Sequence, residues 1–240
     1  MNGVVPSTLS AVPAAELDLT VTPQSGDPQM VEAVGHWGLE WTALSGDALA
    51  VCSLQGTGAF AALQGTTTVT FELVVLVKGT NASKASELIS IGDLLSPEGD
   101  KLSLIVGGAL GSGVVGAYLN KTAEAELAGA WAADLSSRQV VHLVLETAKP
   151  VADRIRLYVD GTRATEANVS PNFTVTLPEE GEGLALQDSG ADALSLGNSA
   201  AAGASLKGVI HYGAVYRSAL EDTQISSHAC ALRQNDDSPP

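Results

Sequence analysis

The chain has 240 residues, 45% hydrophobic but only 4% aromatic, so its core must be aliphatic, built from Val, Leu, Ile and Ala. Lys and Arg total 12 against 27 Asp and Glu, a formal charge of −15, which excludes the electrostatic footprint that nucleic-acid phosphates or anionic lipids require. No apolar run approaches the roughly 20 residues of a membrane-spanning helix, and residues 1–6 lack both the basic and the apolar region of a signal peptide.

Residues 1–30 are rich in Pro, Ser and Ala and read as extended loop, with one alternating patch at Leu17-Asp18-Leu19-Thr20-Val21 that predicts an opening strand. From 31 to 63, short apolar pieces are broken by glycines. Residues 66–78 give the strongest strand signal. Val69, Phe71, Leu73, Val75 and Val77 share one face, and Thr70, Glu72, Val74, Leu76 and Lys78 the other. Further strands are predicted over 87–93, 101–106 and 114–119. The stretch 122–135 is rich in Ala and Glu, and its Ala123-Glu124-Ala125-Glu126-Leu127 start permits a helix. Strands over 140–146 and 173–177 follow, and a short helix is expected over 220–229 with a polar tail over 231–240. Short strands separated by turn signals, without intervening amphipathic helices, argue for an all-β sandwich.

The last third carries the most pattern. Arg154-Ile155-Arg156-Leu157-Tyr158-Val159-Asp160-Gly161 alternates without error, Ile155, Leu157 and Val159 on one face, and ends in an Asp-Gly turn. Leu194-Ser195-Leu196-Gly197 follows, then a segment from Gly208 through Ile210 and Tyr216 to Ala219-Leu220. This order resembles the laminin-G-like branch of the concanavalin-A-like lectin and glucanase superfamily, with its "YVDG", "LxLG" and "GxIxxxxxYxxAL" segments, over about 31–230. The resemblance implies a single-domain, concanavalin-A-like jelly-roll sandwich of two antiparallel sheets, with one short helix near the C-terminus.

The glucanases of that superfamily place Glu-x-Asp-x-(x)-Glu on one strand so that alternate carboxylates project together. No segment here meets that pattern. Lyase chemistry would need a base such as His142, His211 or Tyr212; in alternation with core residues these read instead as sheet-face groups with satisfied hydrogen bonds. Laminin-G-like modules often hold calcium at the loop rim, where hard oxygen ligands gather. By strand position Asp100 matches the first ligand, Asp93 is its rival, and Asp188, Asp192 or Asn198 would be supplied by a later loop. Sugar recognition needs an aromatic platform. Trp37, Trp41, Trp131 and Tyr118 are the candidates, with Trp131, Tyr118 and Trp37 preferred and Trp131 expected to be the most exposed.

Cys52 and Cys230 are compatible either with a bridge between the first and last strands or with two free thiols. Four of the seven asparagines (Asn81, Asn120, Asn168 and Asn172) head Asn-X-Ser/Thr triplets, which points to a glycosylating host or to turn chemistry. The expectation from sequence is therefore a non-catalytic, extracellular recognition or adhesion module for a glycan or protein ligand, with structural Ca2+ at the rim. No nucleic-acid partner and no membrane insertion are expected. The alternatives are a polysaccharide-active hydrolase or lyase on the same fold, and a structural, oligomer-forming sandwich.

Overall fold

The computed structural model describes residues 8–10, 18–23, 27–44, 46–81, 83–93, 99–121, 125–187, 192–199 and 201–236. In chain order the strands begin β1 (Thr8–Ser10), β2 (Asp18–Thr22), β3 (Gln29–Ala33), β4 (His36–Trp41) and β5 (Leu49–Ser53), followed by helix α1 (Gly58–Leu63). Then come β6 (Thr68–Gly79), β7 (Ala85–Asp93), β8 (Asp100–Gly107), β9 (Val114–Leu119), β10 (Glu126–Leu127) and β11 (Gly129–Ala132). The rest are β12 (Gln139–Glu146), β13 (Ile155–Val159), β14 (Thr162–Arg163), β15 (Thr174–Val175), β16 (Asp192–Leu196), β17 (Lys207–Tyr216) and α2 (Asp222–Gln234).

Two antiparallel sheets face one another. The eight-stranded sheet runs β1-β2-β5-β16-β7-β8-β9-β11, and the seven-stranded sheet runs β14-β13-β12-β6-β17-β4-β3. β10 and β15 form a small parallel ribbon apart from both. The core between the sheets takes alternate residues from each. Val69, Phe71, Leu73, Val75 and Val77 of β6 enter it with Leu143, Leu145, Ile155 and Leu157, against Ile89, Ile91, Leu102, Leu104 and Leu196 from the opposite sheet. Period-2 patterning thus fixes which face of each strand is apolar, and burial of that face is the main term holding the layers together.

Two turns show the local chemistry. Asp160 and Gly161 both have positive φ (50° and 81°), as a two-residue hairpin between β13 and β14 demands, and glycine meets that at little steric cost. Gly197 (φ 67°) lies under the indole of Trp41, where a Cβ would come within 2.6 Å of the ring.

The structure also redraws several expectations. No helix forms over the described part of 122–135, because Glu126 and Leu127 pair with β15 and 129–132 pair with β9. Helix α1 is a piece that the glycine-broken pattern of 31–63 hid; Thr57 caps it by accepting from the Phe60 amide. The opening strand expected at 17–21 forms as β2, and helix α2 runs beyond the expected 229 to Gln234. Leu232 is buried, and Asp236 holds both His36 and Arg138, so the expected polar tail is partly structural. Cys52 and Cys230 form no disulfide with each other: β5 belongs to the eight-stranded sheet, while α2 packs on the outer face of the other, so two layers separate them.

Candidate functional site

The outer faces of the two sheets differ, and the difference locates the candidate site. On the seven-stranded sheet α2 covers the outer face. Ala229 and Leu232 pack on Val74 and Val140, and Ile225 packs with Leu220 on Val144 and Tyr158. On the eight-stranded sheet a polar row crosses four strands at one register: Ser195, Ser90, Ser103 and Tyr118. The Ser90 and Ser195 hydroxyls are 2.7 Å apart, and Ser195 donates on to the Asn198 carbonyl.

Beside this row lies a cleft of about 230 Å³. Ile105, Tyr118 and Glu87 make its floor, Phe173 and Asn172 from the approach to β15 make a wall, and Lys84 and Lys121 bring positive charge. Tyr118 packs with Ile105, Leu110 and Leu127 in a small satellite core. Lys121 Nζ sits 4.5 Å from the centre of the Tyr118 ring and 3.4 Å from Asp100 Oδ2. Those contacts commit Lys121 to the floor, whereas Lys84 stands exposed at the mouth. Glu87 is buried, and its Oε2 has no hydrogen-bond partner among the described residues. Burial, reinforced by the charge of Asp100, pushes its carboxyl up to about 8. At neutral pH the group is therefore mostly protonated and offers an O–H donor. Burial raises the Asp100 carboxyl as well, against the pull of Lys121.

The residues singled out from sequence fall in separate places. Trp131 is 4% exposed and belongs to the main core, its ring over Gly129 and its strand position opposite Val115, so it offers no face for stacking. Sealing the sandwich edge took the ring that the sequence suggested was exposed. Trp41 is fully buried, its indole N–H donating to the Ala48 carbonyl. Trp37 is 43% exposed, but it lies on β4 of the other sheet, away from the cleft. Tyr118 alone of these lines the cleft, but it is 5% exposed and one ring face is taken by Lys121, so it forms part of the floor and not an open stacking platform.

Two of the rim aspartates share a register, and the third lies one position away on the next strand. Asp192 pairs with Asp93 across β16 and β7, and Asp100 sits opposite Gly92 on β8. Asp188 and the loop 94–98 lie outside the described residues. Asp192 Oδ2 accepts from the Gln187 amide, and Asp100 is paired with Lys121. Asn198 is lost as a ligand. Its amide donates to the Gly46 and Ala48 carbonyls and its Oδ1 accepts from the Ser199 and Ala204 amides, which uses its whole hydrogen-bonding capacity. Asn120 is consumed in the same way: it donates to Glu182 and Gly183 and accepts from Ala185, so this triplet serves a turn.

Glu87, Lys84, Lys121 and Phe173 are the cleft residues that the sequence hid. A register irregularity between Glu87 and Ile89 puts both Leu88 and Ile89 in the core, so the alternation that would mark Glu87 as outward-facing is broken there. The signal that remained was an acid at the head of the strand predicted over 87–93.

No protein-family model and no curated protein matches this sequence. Solved structures do share the fold. A Trypanosoma rangeli sialidase, in complex with 2,3-difluoro-KDN, matches over 97% of this chain and 32% of its own, at 16% identity and a TM-score of 0.57. The CBM40 domain of Ruminococcus gnavus IT-sialidase bound to α2,3-sialyllactose matches over 79% of this chain and 95% of its own, at 20% identity and a TM-score of 0.54. The chain spans about a third of the length of the sialidase it resembles. At these identities the likeness establishes the fold alone, a β-sandwich of two antiparallel sheets.

Proposed function

We propose that this domain is a non-catalytic recognition module, acting outside the cell, that holds a glycan in the cleft beside Tyr118 and prefers sugars bearing a carboxylate. The observation that carries this reading is electrostatic. In a chain of net charge −15 with six lysines, two of them line this one cleft on the outer side of the eight-stranded sheet. Lys84 at the mouth supplies the accessible charge, Phe173 an apolar wall, and the protonated Glu87 a hydrogen-bond donor at the floor. The same fold in a CBM40 domain bound to sialyllactose supports a sugar ligand.

Recognition is favoured over two-carboxylate hydrolysis because the described lining presents a single carboxyl, Glu87, whereas that chemistry uses a pair about 5 to 9.5 Å apart. The test is a glycan array followed by titration calorimetry with α2,3-sialyllactose and with lactose. Binding of the acidic sugar that Lys84→Ala weakens about tenfold supports the site, one charge-assisted contact being worth about that much. An array without hits removes the reading and favours the oligomer-forming sandwich. For calcium, the supporting observation is the cross-strand placement of Asp93, Asp100 and Asp192, against which Lys121 already neutralises Asp100. A melting midpoint raised by calcium and lowered by EDTA supports a rim ion; an unchanged midpoint removes it.

A further inference from the structure

The covered face holds a second cluster. Glu72 on β6 lies directly opposite His142 on β12, and α2 lowers His228 onto the same carboxylate from above. Glu72 Oε2 is 2.7 Å from His142 Nε2 and 2.8 Å from His228 Nδ1, while Tyr216 donates to Glu72 Oε1 at 2.8 Å. Glu72 and His142 are fully buried; the His228 side chain is 23% exposed and forms the solvent side of the cluster.

We propose that Glu72, His142 and His228 bind a single divalent cation of the zinc class, clamping α2 to the outer face of the seven-stranded sheet. Two imidazole nitrogens and one carboxylate oxygen are the donor set that such borderline d-block ions take, and three protein ligands leave a fourth position for water. The three donor atoms already lie within 4.8 Å of one another. Around a tetrahedral ion with bonds of roughly 2.0–2.2 Å they would stand about 3.3 Å apart, so the cluster opens by about half an ångström to admit it.

To ligate, each imidazole carries its N–H on the nitrogen away from Glu72, so that the nitrogen facing the carboxylate offers its lone pair to the metal. His142 Nδ1 is buried with no hydrogen-bond partner among the described residues, and His228 borders solvent. Tyr216, bound to the other Glu72 oxygen, fixes the carboxylate plane.

The test titrates Zn2+ and Co2+ into the chelator-treated full chain, by calorimetry and by cobalt visible absorption. Expected are one saturable site per chain, affinity lowered by about tenfold or more in His228→Ala and in His142→Gln, and a melting midpoint that zinc raises in the unaltered protein but not in His228→Ala. Cys230→Ser, which removes the nearby exposed thiol, is expected to leave the site intact. His228 is partly exposed, so its variant keeps the fold even where His142→Gln does not. Absence of saturable binding, binding that survives His228→Ala, or binding lost with Cys230→Ser would each overturn the proposal. The cluster and the cleft lie on opposite sheets, so glycan binding passes or fails independently.

Discussion

The two sheets carry the same aliphatic alternation toward each other and opposite solutions behind. Behind the seven-stranded sheet the chain lays α2, whose first turn is fixed by a capping box between Glu221 and Gln224. Its last carbonyls, those of Leu232 and Arg233, accept from the guanidinium of Arg138, which Asp236 holds at 2.6 Å. Behind the eight-stranded sheet no helix packs among the described residues; the serine row is buried, the β10–β15 ribbon lies beside it, and a cleft opens there. A face that receives a helix is spent on stability. The face without one is where the proposed glycan cleft lies.

The sharpest way to break that contrast is to undo the cover. Ile225 is fully buried where α2 meets Val144 and Tyr158. Ile225→Ala is expected to cost about 2–5 kcal/mol by urea unfolding, the usual loss for deleting a packed branched side chain. A cost near zero would show that α2 adds nothing to the stability of the face it covers.

The open face is tested through Glu87. Its folded carboxyl sits near 8, above the unfolded value of about 4.5, so its contribution to stability is fully present below pH 4.5 and is lost as pH rises through 8. Melting midpoints are therefore expected to fall between pH 5 and pH 9. Glu87→Gln, which cannot ionise, is expected to flatten that fall and to be the more stable by on the order of 1–3 kcal/mol at pH 8.5. Parallel pH profiles for the two proteins would mean that Glu87 is better solvated than the geometry indicates.

Much of the covered face was legible in sequence, and little of the open one. The alternation of 66–78 and 154–160 gave the correct inward faces, with Phe71, Leu73, Ile155 and Leu157 all in the core. A period-2 pattern reports only the side that is uniformly apolar. It stays silent on what lies behind, and so Arg156 and Tyr158, polar in pattern, are buried under α2 and its flanking loop. The cleft was illegible because its members come from β7, β9 and the approach to β15, which sequence spacing does not join, and because the irregularity in β7 erased the phase of Glu87. Trp131 misled for a related reason: in a chain with three Trp residues and so few other aromatics, a large ring is worth more filling the core than displayed.

The mildest of these effects probes the seam of the covered face itself. Tyr158 stands on β13 beside His142, and its hydroxyl donates to Asp222 Oδ1 at 2.7 Å, in the first turn of α2. Burial, reinforced by that bond to Asp222, raises the phenol above its ordinary value, so it remains a donor throughout the working pH range. Tyr158→Phe keeps the ring against Ile225 and Val144 and removes only the hydroxyl. The expected cost is about 1 kcal/mol, the net worth of one such bond, and Asp222 keeps access to water once its partner is gone. Combined with Ile225→Ala, the two losses should fall short of their sum, because both weaken the same docking of α2 and neighbours in contact couple. Strict additivity would instead mean that the helix start and the packed seam act as separate anchors, each able to hold α2 to the sheet without the other.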